Sequence, residues 1–293
     1  MRVPAGEPTD SRTFCLTRCA HCGTAVTGGD PPGPEAYEKG VYGPGPPRAA
    51  GLVRLAQRAV VGQPARILRR AGVGPGSRVL DAGAGRGRLV AELRRRGFDA
   101  EGIEPSRRSA HSAMAAGLPV ARRSIAEHDA AGLDAVVLWH VLEHLDDPVS
   151  ALTRAGSWLR PGGVLLVAVP NRASLQAAIA GPAWLHYDAP RHRLHLTPAG
   201  LGALFAGAGL TPAGTHHMVW EHNPAAMWMA LLSRAARVSP GFAFHALKRN
   251  ALRSRRDAAL TTAALPLLPL AVGIEAGAAA RGHGGTIAGL ARR

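Results

Sequence analysis

The sequence predicts an α/β fold, a mainly parallel sheet with helices on both faces, and three observations carry that prediction. Arg78-Val-Leu-Asp-Ala-Gly-Ala-Gly-Arg-Gly-Arg-Leu89 runs an apolar strand into three alternating glycines and then into an amphipathic helix. Apolar strand-length runs recur at Leu133–Trp139 and Leu159–Asn171, separated by segments with helical spacing. The chain has 293 residues and is 46% apolar, enough for one large domain with additions.

From the N-terminus, Met1 to Asp10 is polar and rich in turn formers, so no secretory signal is expected there. Cys15, Cys19 and Cys22, with His21 among them, follow closely, and Cys19-Ala-His-Cys22 has the spacing of a zinc knuckle turn. Zinc normally takes four ligands from two such turns, and no second pair exists; a zinc site at Cys15, Cys19 and Cys22 and unligated thiols in a mobile arm are both open readings. Three cysteines make no disulfide framework, and a reducing cytoplasm is the expected compartment. Proline and glycine dominate from Gly28 to Gly51, the composition of a linker. Leu52, Leu55, Val60, Ile67 and Leu68 then make a helical region, interrupted near Gly62-Gln-Pro64.

Val79 and Leu80 are buried-strand residues and Asp81 closes the strand. Gly83, Gly85 and Gly87 permit a tight turn and the close approach of a ligand. Leu89, Val90 and Leu93 keep helical spacing until Gly97 stops the helix. Such a turn at the carboxyl end of a parallel strand is where doubly wound folds bind nucleotides. The dinucleotide pattern G-x-G-x-x-G needs a small residue at position 88, where Arg88 stands, so a pyrophosphate fits poorly. Phe98 to Pro105 reads as a second strand ending in Glu104, 21 residues beyond Gly83. An acid there can accept hydrogen bonds from both ribose hydroxyls; the alternative is an ordinary exposed strand-end glutamate.

Ser106 is placed to cap a helix to Ala116, and Leu118-Pro-Val-Ala121 is a short third strand. The segment 122–131 shows no clear pattern. Leu133–Trp139 is a fourth, buried strand leading into His140-Val-Leu-Glu-His144-Leu-Asp-Asp-Pro148. If that stretch is helical, His140, Glu143 and His144 share one face. A hydrogen-bonded turn, a general base and a metal site are the three readings of this trio. A helix through Ala151, Leu152 and Trp158 leads to a turn and fifth strand over Leu159–Asn171. Trp184 to Ala199 is a polar, aromatic loop with His186, His192 and His195, followed by a helix capped by Thr197 and ending at Gly209. Leu210 to Trp220 fits a sixth strand.

Pro224 to Arg237 is an apolar helix, and the basic run Lys248–Arg256 follows it. Ala258 to Ile274 carries no charge, but Pro266 and Pro269 make it poor as a continuous membrane span. A hydrophobic hairpin beside arginines suits contact with a membrane surface, a cover over a greasy substrate, or packing against the core or a second subunit. Gly284 to Ala291 supplies a seventh, antiparallel strand, so the hairpin is an insertion. The expected organisation is an arm and linker at 1–50, a core at 51–222, the insertion at 223–282 and a final core strand at 283–293.

The Asp81–Gly87 pattern D-x-G-x-G-x-G resembles motif I of the class I S-adenosylmethionine-dependent methyltransferases. His140–Pro148 resembles the segment h-v-L-E-H-l-x-d-P of small-molecule methyltransferases near the ubiquinone O-methyltransferase branch, and Arg160-Pro-Gly-Gly163 is also typical of the family. The resemblance covers roughly residues 75–220. It implies a Rossmann-like seven-stranded sheet and S-adenosylmethionine as cofactor. By the same resemblance, Asp81, Gly83, Ala84, Gly85 and Gly87 receive the methionine part, Glu104 and Pro105 the ribose, and Ser124 and Ile125 the adenine, with Trp139 and His140 at the next strand end. Tyr37 and Tyr42 are lid candidates. Relatives carry a P-x-H-x-x-x-F-T stretch beside the substrate cleft; here Pro190 to Thr197 matches it, with Leu196 replacing the aromatic residue. His192 is the first candidate for positioning or deprotonating an acceptor hydroxyl, and His140 the second catalytic candidate.

The net charge of +15 invites a nucleic-acid partner, but the arginines are scattered and aromatic residues are only 4%, so stacking platforms are scarce. Only Lys39 and Lys248 are lysines, an arginine bias that reads as codon composition. No Asn/Asp-Pro-Pro-aromatic motif follows the fourth strand, and every cysteine precedes residue 23, which argues against base methylation at amine or C5 positions. The expected function is methylation of a small, lipophilic metabolite, at oxygen, by a cytoplasmic protein with peripheral membrane contact. RNA or protein methylation, and non-catalytic cofactor binding at a membrane, are the alternatives.

Overall fold

The computed structural model describes residues 1–7, 10–33, 36, 60–221, 223–247 and 254–293. The lid candidates Tyr37 and Tyr42, most of the Gly28–Gly51 linker, and Leu52 and Leu55 lie outside the described residues. The strands, in chain order, are β1 (Arg2–Pro4), β2 (Thr13–Arg18), β3 (Ala25–Thr27), β4 (Arg78–Ala82), β5 (Asp99–Ile103), β6 (Val120–Ala121), β7 (Leu133–Trp139), β8 (Leu159–Pro170), β9 (Leu194–His195), β10 (Thr211–His216) and β11 (Thr286–Arg292). They form a seven-stranded sheet in the order β10-β11-β8-β7-β4-β5-β6 and a four-stranded sheet in the order β1-β2-β3-β9. The chain divides into two compact units, one of Arg58–Val169, Pro198–His216 and Ala288–Arg293, the other of Met1–Gln57, Pro170–Thr197 and His217–Ile287.

The first unit is built on the seven-stranded sheet. β4 pairs in parallel with β5 and with β7, β5 with β6, and β7 with β8, while β10 and β11 are antiparallel. Val136, Val137 and Leu138 of β7 and Leu165 and Leu166 of β8 are fully buried. Central parallel strands are covered on both faces, which is why they read as unbroken apolar runs instead of alternating ones. The chain leaves β4 toward β5 and β6 and returns on the other side of β4 as β7. The order therefore reverses between β4 and β7, and their carboxyl ends flank the crevice where ligands bind in such sheets.

Local chemistry sets the helix ends of this unit. The helix Arg88–Arg95 begins after Gly87 and buries Leu89, Val90 and Leu93, and Gly97, at φ 86°, carries the chain off it. Ser106 caps Arg107–Ala115 by accepting from Ser109 N at 3.3 Å, and Asp147 caps Pro148–Ser157 by accepting from Ser150 N at 3.0 Å. Within 122–131 only residues 125–127 form a turn, and the segment is pinned where the His128 carbonyl accepts two bonds from Arg154, at 3.1 and 2.8 Å, and the His128 ring stands edge-on to Trp158.

The second unit holds a sheet that the sequence does not announce. β1, β2 and β3 span three, six and three residues, and β9 two, too short for a period-2 pattern to stand out. β3 pairs with β9 across some 170 residues of chain, Ala25 facing His195 and Val26 facing Leu194. Val3, Leu16 and Ala25 pack with Ala177, Ala180, Trp184 and Tyr187. The helices Asn223–Ala236, Phe242–Leu247, Arg255–Ala263 and Leu268–Ala280 complete the unit. Among the described residues no single helix is long and apolar enough to cross a membrane; the last two pass that test only as a pair, bent by 46° at their junction.

A buried polar network stitches this unit together. Glu275, 2% exposed, accepts from Gln176 Nε2 and from Gly285 N, both at 2.8 Å. Gln176 Nε2 also donates to Asn223 O at 2.9 Å, and Thr286 Oγ1 to Asn223 Oδ1 at 3.2 Å. Burial pushes the Glu275 carboxyl above the usual carboxylate range, opposed by those two donors.

Candidate functional site

At the carboxyl end of β4 the backbone turns through Gly83, Gly85 and Gly87, with φ of 93°, 54° and 72°, a region open mainly to glycine. Packing alone requires two of them. A Cβ on Gly83 would collide with the Val141 side chain, and one on Gly87 would lie 2.6 Å from Leu118 Cδ1. Gly85 differs: a Cβ there meets nothing within 4 Å. Its missing side chain leaves bare backbone facing open space, the condition for a ligand to lie against the loop. Ala84 is buried with Val90, Ala113 and Val120 and anchors the turn from beneath.

Glu104 follows the last residue of β5. It is 9% exposed, its Oε2 accepting from Gly85 N and its Oε1 from Ser106 N, both at 2.8 Å. The carboxylate thus braces the glycine turn. Asp81 is buried at the end of β4. Desolvation raises its pKa to about 7, and the Glu104 charge adds to the rise. A cation against this pair of acids would reverse that shift. Bare backbone at Gly85, an acid held against it and a second, desolvated acid together suit a cationic, ribose-bearing nucleoside.

The remaining residues singled out in the sequence for the cofactor lie on neighbouring strand ends of the same unit. Pro105 is exposed, and Ser124 and Ile125 are half-buried. Ser124 donates through both N and Oγ to Glu127 Oε2, each at 2.8 Å, and those bonds hold the Glu127 carboxyl below its usual range. Trp139 ends β7, its ring edge-on to that of His140 at 6.2 Å.

His140 lies in the left-handed region, at φ 56°, unusual for a residue with a side chain and a form of strain found at functional sites. Its N–H donates to Ala168 O at 2.9 Å. Only Leu142–His144 forms a turn of 3-10 helix, so His140 meets Glu143 through this backbone bend and not along a shared helical face. Nδ1 lies 3.1 Å from Glu143 Oε1. Because a carboxylate only accepts, Nδ1 carries the proton, and in the neutral ring Nε2 holds the lone pair. Glu143 is 1% exposed, and its Oε2 has no hydrogen-bond partner among the described residues.

In the second unit the histidines of the 184–199 loop differ in kind. His192 Nδ1 lies 2.8 Å from the His186 carbonyl, which again places the proton on Nδ1 and the lone pair on Nε2. Asp188 Oδ2 stands 3.8 Å from that Nε2, beyond hydrogen-bonding reach, and pairs instead with the buried Arg191, which also binds Glu7. His195 is structural. Thr27 Oγ1 donates to His192 O at 2.7 Å and receives His195 Nε2 at 2.8 Å. Burial, reinforced by Arg172, pulls the His195 pKa down to about 3, so this ring stays neutral. The Asp188–Arg191–Glu7 and Glu275–Gln176 pairings have no sequence signature, beyond charged residues standing among apolar ones.

Cys15 lies on β2 and Cys19 and Cys22 on the turn after it; the first two are exposed and Cys22 is half-buried. Among the described residues the three sulfurs do not come within metal-ligand spacing of one another, so the zinc reading of Cys15, Cys19 and Cys22 gains no support from geometry. Cys15 lies on the strand, while Cys19 and Cys22 share the turn.

Comparison with known proteins places these residues in context. Residues 55–213, which include the glycine turn and both acids, match a family model described as "Methyltransferase domain". A protein of Cereibacter sphaeroides called Ubiquinone biosynthesis O-methyltransferase is 32% identical over 173 residues, 54% of this chain and 69% of that protein. One of the same name from Dinoroseobacter shibae is 34% identical over 181 residues, again 54% and 69% of the two chains. Among solved structures, a putative sarcosine dimethylglycine methyltransferase from Galdieria sulphuraria superposes with a TM-score of 0.53 at 18% identity, over 82% of this chain and 87% of that one, a likeness of fold.

Proposed function

Since the chain belongs to the family of S-adenosylmethionine-dependent methyltransferases that act on small molecules, we propose that it methylates an oxygen of a lipophilic metabolite. The cofactor supplies an electrophilic methyl carbon on a sulfonium. The chain's part is to hold it, to align the acceptor oxygen and to exclude water. Asp81 takes the cationic amino group, the bare backbone at Gly85 receives the amino-acid end, Glu104 and Pro105 the ribose, and Ser124 and Ile125 the adenine. Gly83, Ala84 and Gly87 give the turn its shape. The observation that carries this reading is the Glu104 carboxylate bonded to Gly85 N beside the open face of that glycine.

Oxygen as the acceptor atom is supported by the relatives' name, O-methyltransferase, and by the histidine–carboxylate pair at the end of β7. A hydroxyl must lose its proton, and His140 Nε2, next to Trp139 and fixed through Nδ1 by Glu143, is placed to take it. His192 remains a second candidate through the same tautomer. A lipophilic acceptor, and contact with a membrane surface, are supported by the junction of the last two helices. There Leu265, Leu267 and Leu270 keep 52%, 54% and 60% of their surface exposed, on the helix pair that begins with Arg255 and Arg256.

Titration calorimetry with S-adenosylhomocysteine tests the cofactor site. Wild-type protein is expected to release heat at a single site, and Glu104→Gln to bind roughly 10- to 100-fold more weakly, the range of a lost hydrogen bond to a charged group. Absence of heat with the folded wild type sinks the reading. Transfer of a labelled methyl group to a lipid extract, abolished or cut by roughly 100-fold or more in His140→Ala, tests the acceptor; label appearing in RNA or protein instead refutes the small-molecule assignment. Replacing Leu265, Leu267 and Leu270 with serine is expected to abolish sedimentation with anionic vesicles.

A further inference from the structure

Among the described residues, the seven-stranded sheet lacks one of its connecting helices. Helices join β4 to β5, β5 to β6 and β7 to β8, whereas residues 122–132 join β6 to β7 with no more than a turn at 125–127. Leu80, Glu101, Ile103 and Ala121 share one face of the sheet, because Leu80 is in register with Glu101, Ile103 with Ala121, and Glu101 and Ile103 are alternate residues of one strand. The other face is taken: a Cβ on Gly102 would lie 2.6 Å from Ala84 Cβ and 3.0 Å from Val90 of the helix Arg88–Arg95. A groove of about 310 Å³ remains, lined by those four residues, by residues 118–120 and by His128.

We propose that this groove is a binding site for a small amine with an apolar body, separate from the cofactor pocket and independent of the methyl-transfer reading. Leu80 and Ile103, 3% and 1% exposed, give it an apolar floor. Glu101 stands exposed at its side and makes no hydrogen bond or ion pair among the described residues. His128 Nδ1 is buried and likewise has no hydrogen-bond partner there. Burial, helped by the Arg123 charge, lowers the His128 pKa, so the ring adds no cation of its own. Arg154, a second cation facing that ring, is taken up by the His128 carbonyl and by Asp129, each at 2.8 Å.

Size and charge select the ligand. A volume of about 310 Å³ lies at the lower end of the ~300–1,000 Å³ range of small-molecule sites. A carboxylate only accepts, and one left without a donor beside apolar surface favours an ammonium over a neutral or anionic group. Glu104 differs, lying past the end of β5 with its oxygens on Gly85 N and Ser106 N, so the two carboxylates serve different ligands.

The test uses the full chain with carbon-labelled isoleucine, leucine and valine methyl groups, titrated with tryptamine and followed by NMR. Saturable shifts are expected at the methyls of Leu80, Ile103 and Val120, with a dissociation constant of about 1 mM or tighter. Tryptophol, which carries a hydroxyl in place of the ammonium, should bind at least ~10-fold more weakly, and indoleacetate more weakly still. Glu101→Gln is expected to bring tryptamine down to the level of tryptophol, with the methyl spectrum of the free protein otherwise unchanged. Ala121→Phe, at an exposed position, fills the groove and should abolish the shifts. The proposal is overturned if tryptamine leaves those methyls unshifted, if tryptophol binds as tightly, or if Glu101→Gln binds tryptamine as wild type does. It is equally overturned if S-adenosylhomocysteine displaces tryptamine, which would put the amine in the cofactor pocket.

Discussion

Asp81→Asn offers the sharpest physical test of the cofactor pocket, because it separates the cost of the buried carboxylate from its use. In the folded chain Asp81 ionises at about 7, against 3.8 without the fold. The folded state thus holds a proton more tightly than the unfolded state. Its contribution to stability is fully present below about pH 4 and is lost as pH rises through about 7. Three pH units at ~1.4 kcal/mol each make the ionised side chain cost up to about 4 kcal/mol at pH 8, an upper figure because Glu104 shares the charge. Asparagine has the same shape and no charge. Urea unfolding of both proteins at pH 4.5 and pH 8 should show the variant gaining on wild type by about 2–4 kcal/mol between the two conditions. Titrating groups other than Glu104, whose charge acts on Asp81, cancel in that double difference. At pH 8 the same variant should bind S-adenosylhomocysteine at least ~10-fold more weakly, through loss of the charge facing the amino group. A stability difference that is the same at both pH values refutes the argument that burial, and not a local bond, sets this carboxyl.

Two glycines of the turn should respond to alanine in opposite ways. Gly87→Ala drives a Cβ against Leu118 in a left-handed backbone and should lower stability by about 2–4 kcal/mol by urea unfolding. Gly85→Ala meets open space, so it should cost only about 1–2 kcal/mol while weakening cofactor binding at least ~10-fold by calorimetry. In the second unit Glu275→Ala leaves Gln176 Nε2 without its carboxylate partner and Gly285 N unpaired in the interior, and should destabilise by about 2–5 kcal/mol; Glu275→Gln, which keeps one acceptor, should lose less.

What could be read in the sequence was whatever a local period or a local turn encodes. The apolar run at 133–139 coincides with β7, and the acid that closes Phe98–Pro105 stands at the strand end where it meets the glycine turn. The division of labour among Gly83, Gly85 and Gly87 was not legible, because it depends on Val141 and Leu118, which approach from elsewhere in the chain. The sheet of β1, β2 and β3 was missed because its strands are short and its fourth member is β9. His140 does meet Glu143, but through a left-handed backbone bend and not through the shared helical face that the spacing of 140, 143 and 144 suggests. Glu275 closes an otherwise uncharged stretch, and its partners, Gln176 and the Gly285 amide, lie in two other segments of the chain.

The pairing of β3 with β9 bears on how the protein is made. A ribosome releases residues 1–27 long before Leu194 and His195 exist, so the edge of β3 waits without its neighbour through most of synthesis. Joining ends so far apart is slow compared with forming local helices. During that interval the nascent hairpin is a candidate for mispairing with other chains, and holdase chaperones should be found on translation intermediates shorter than about 200 residues.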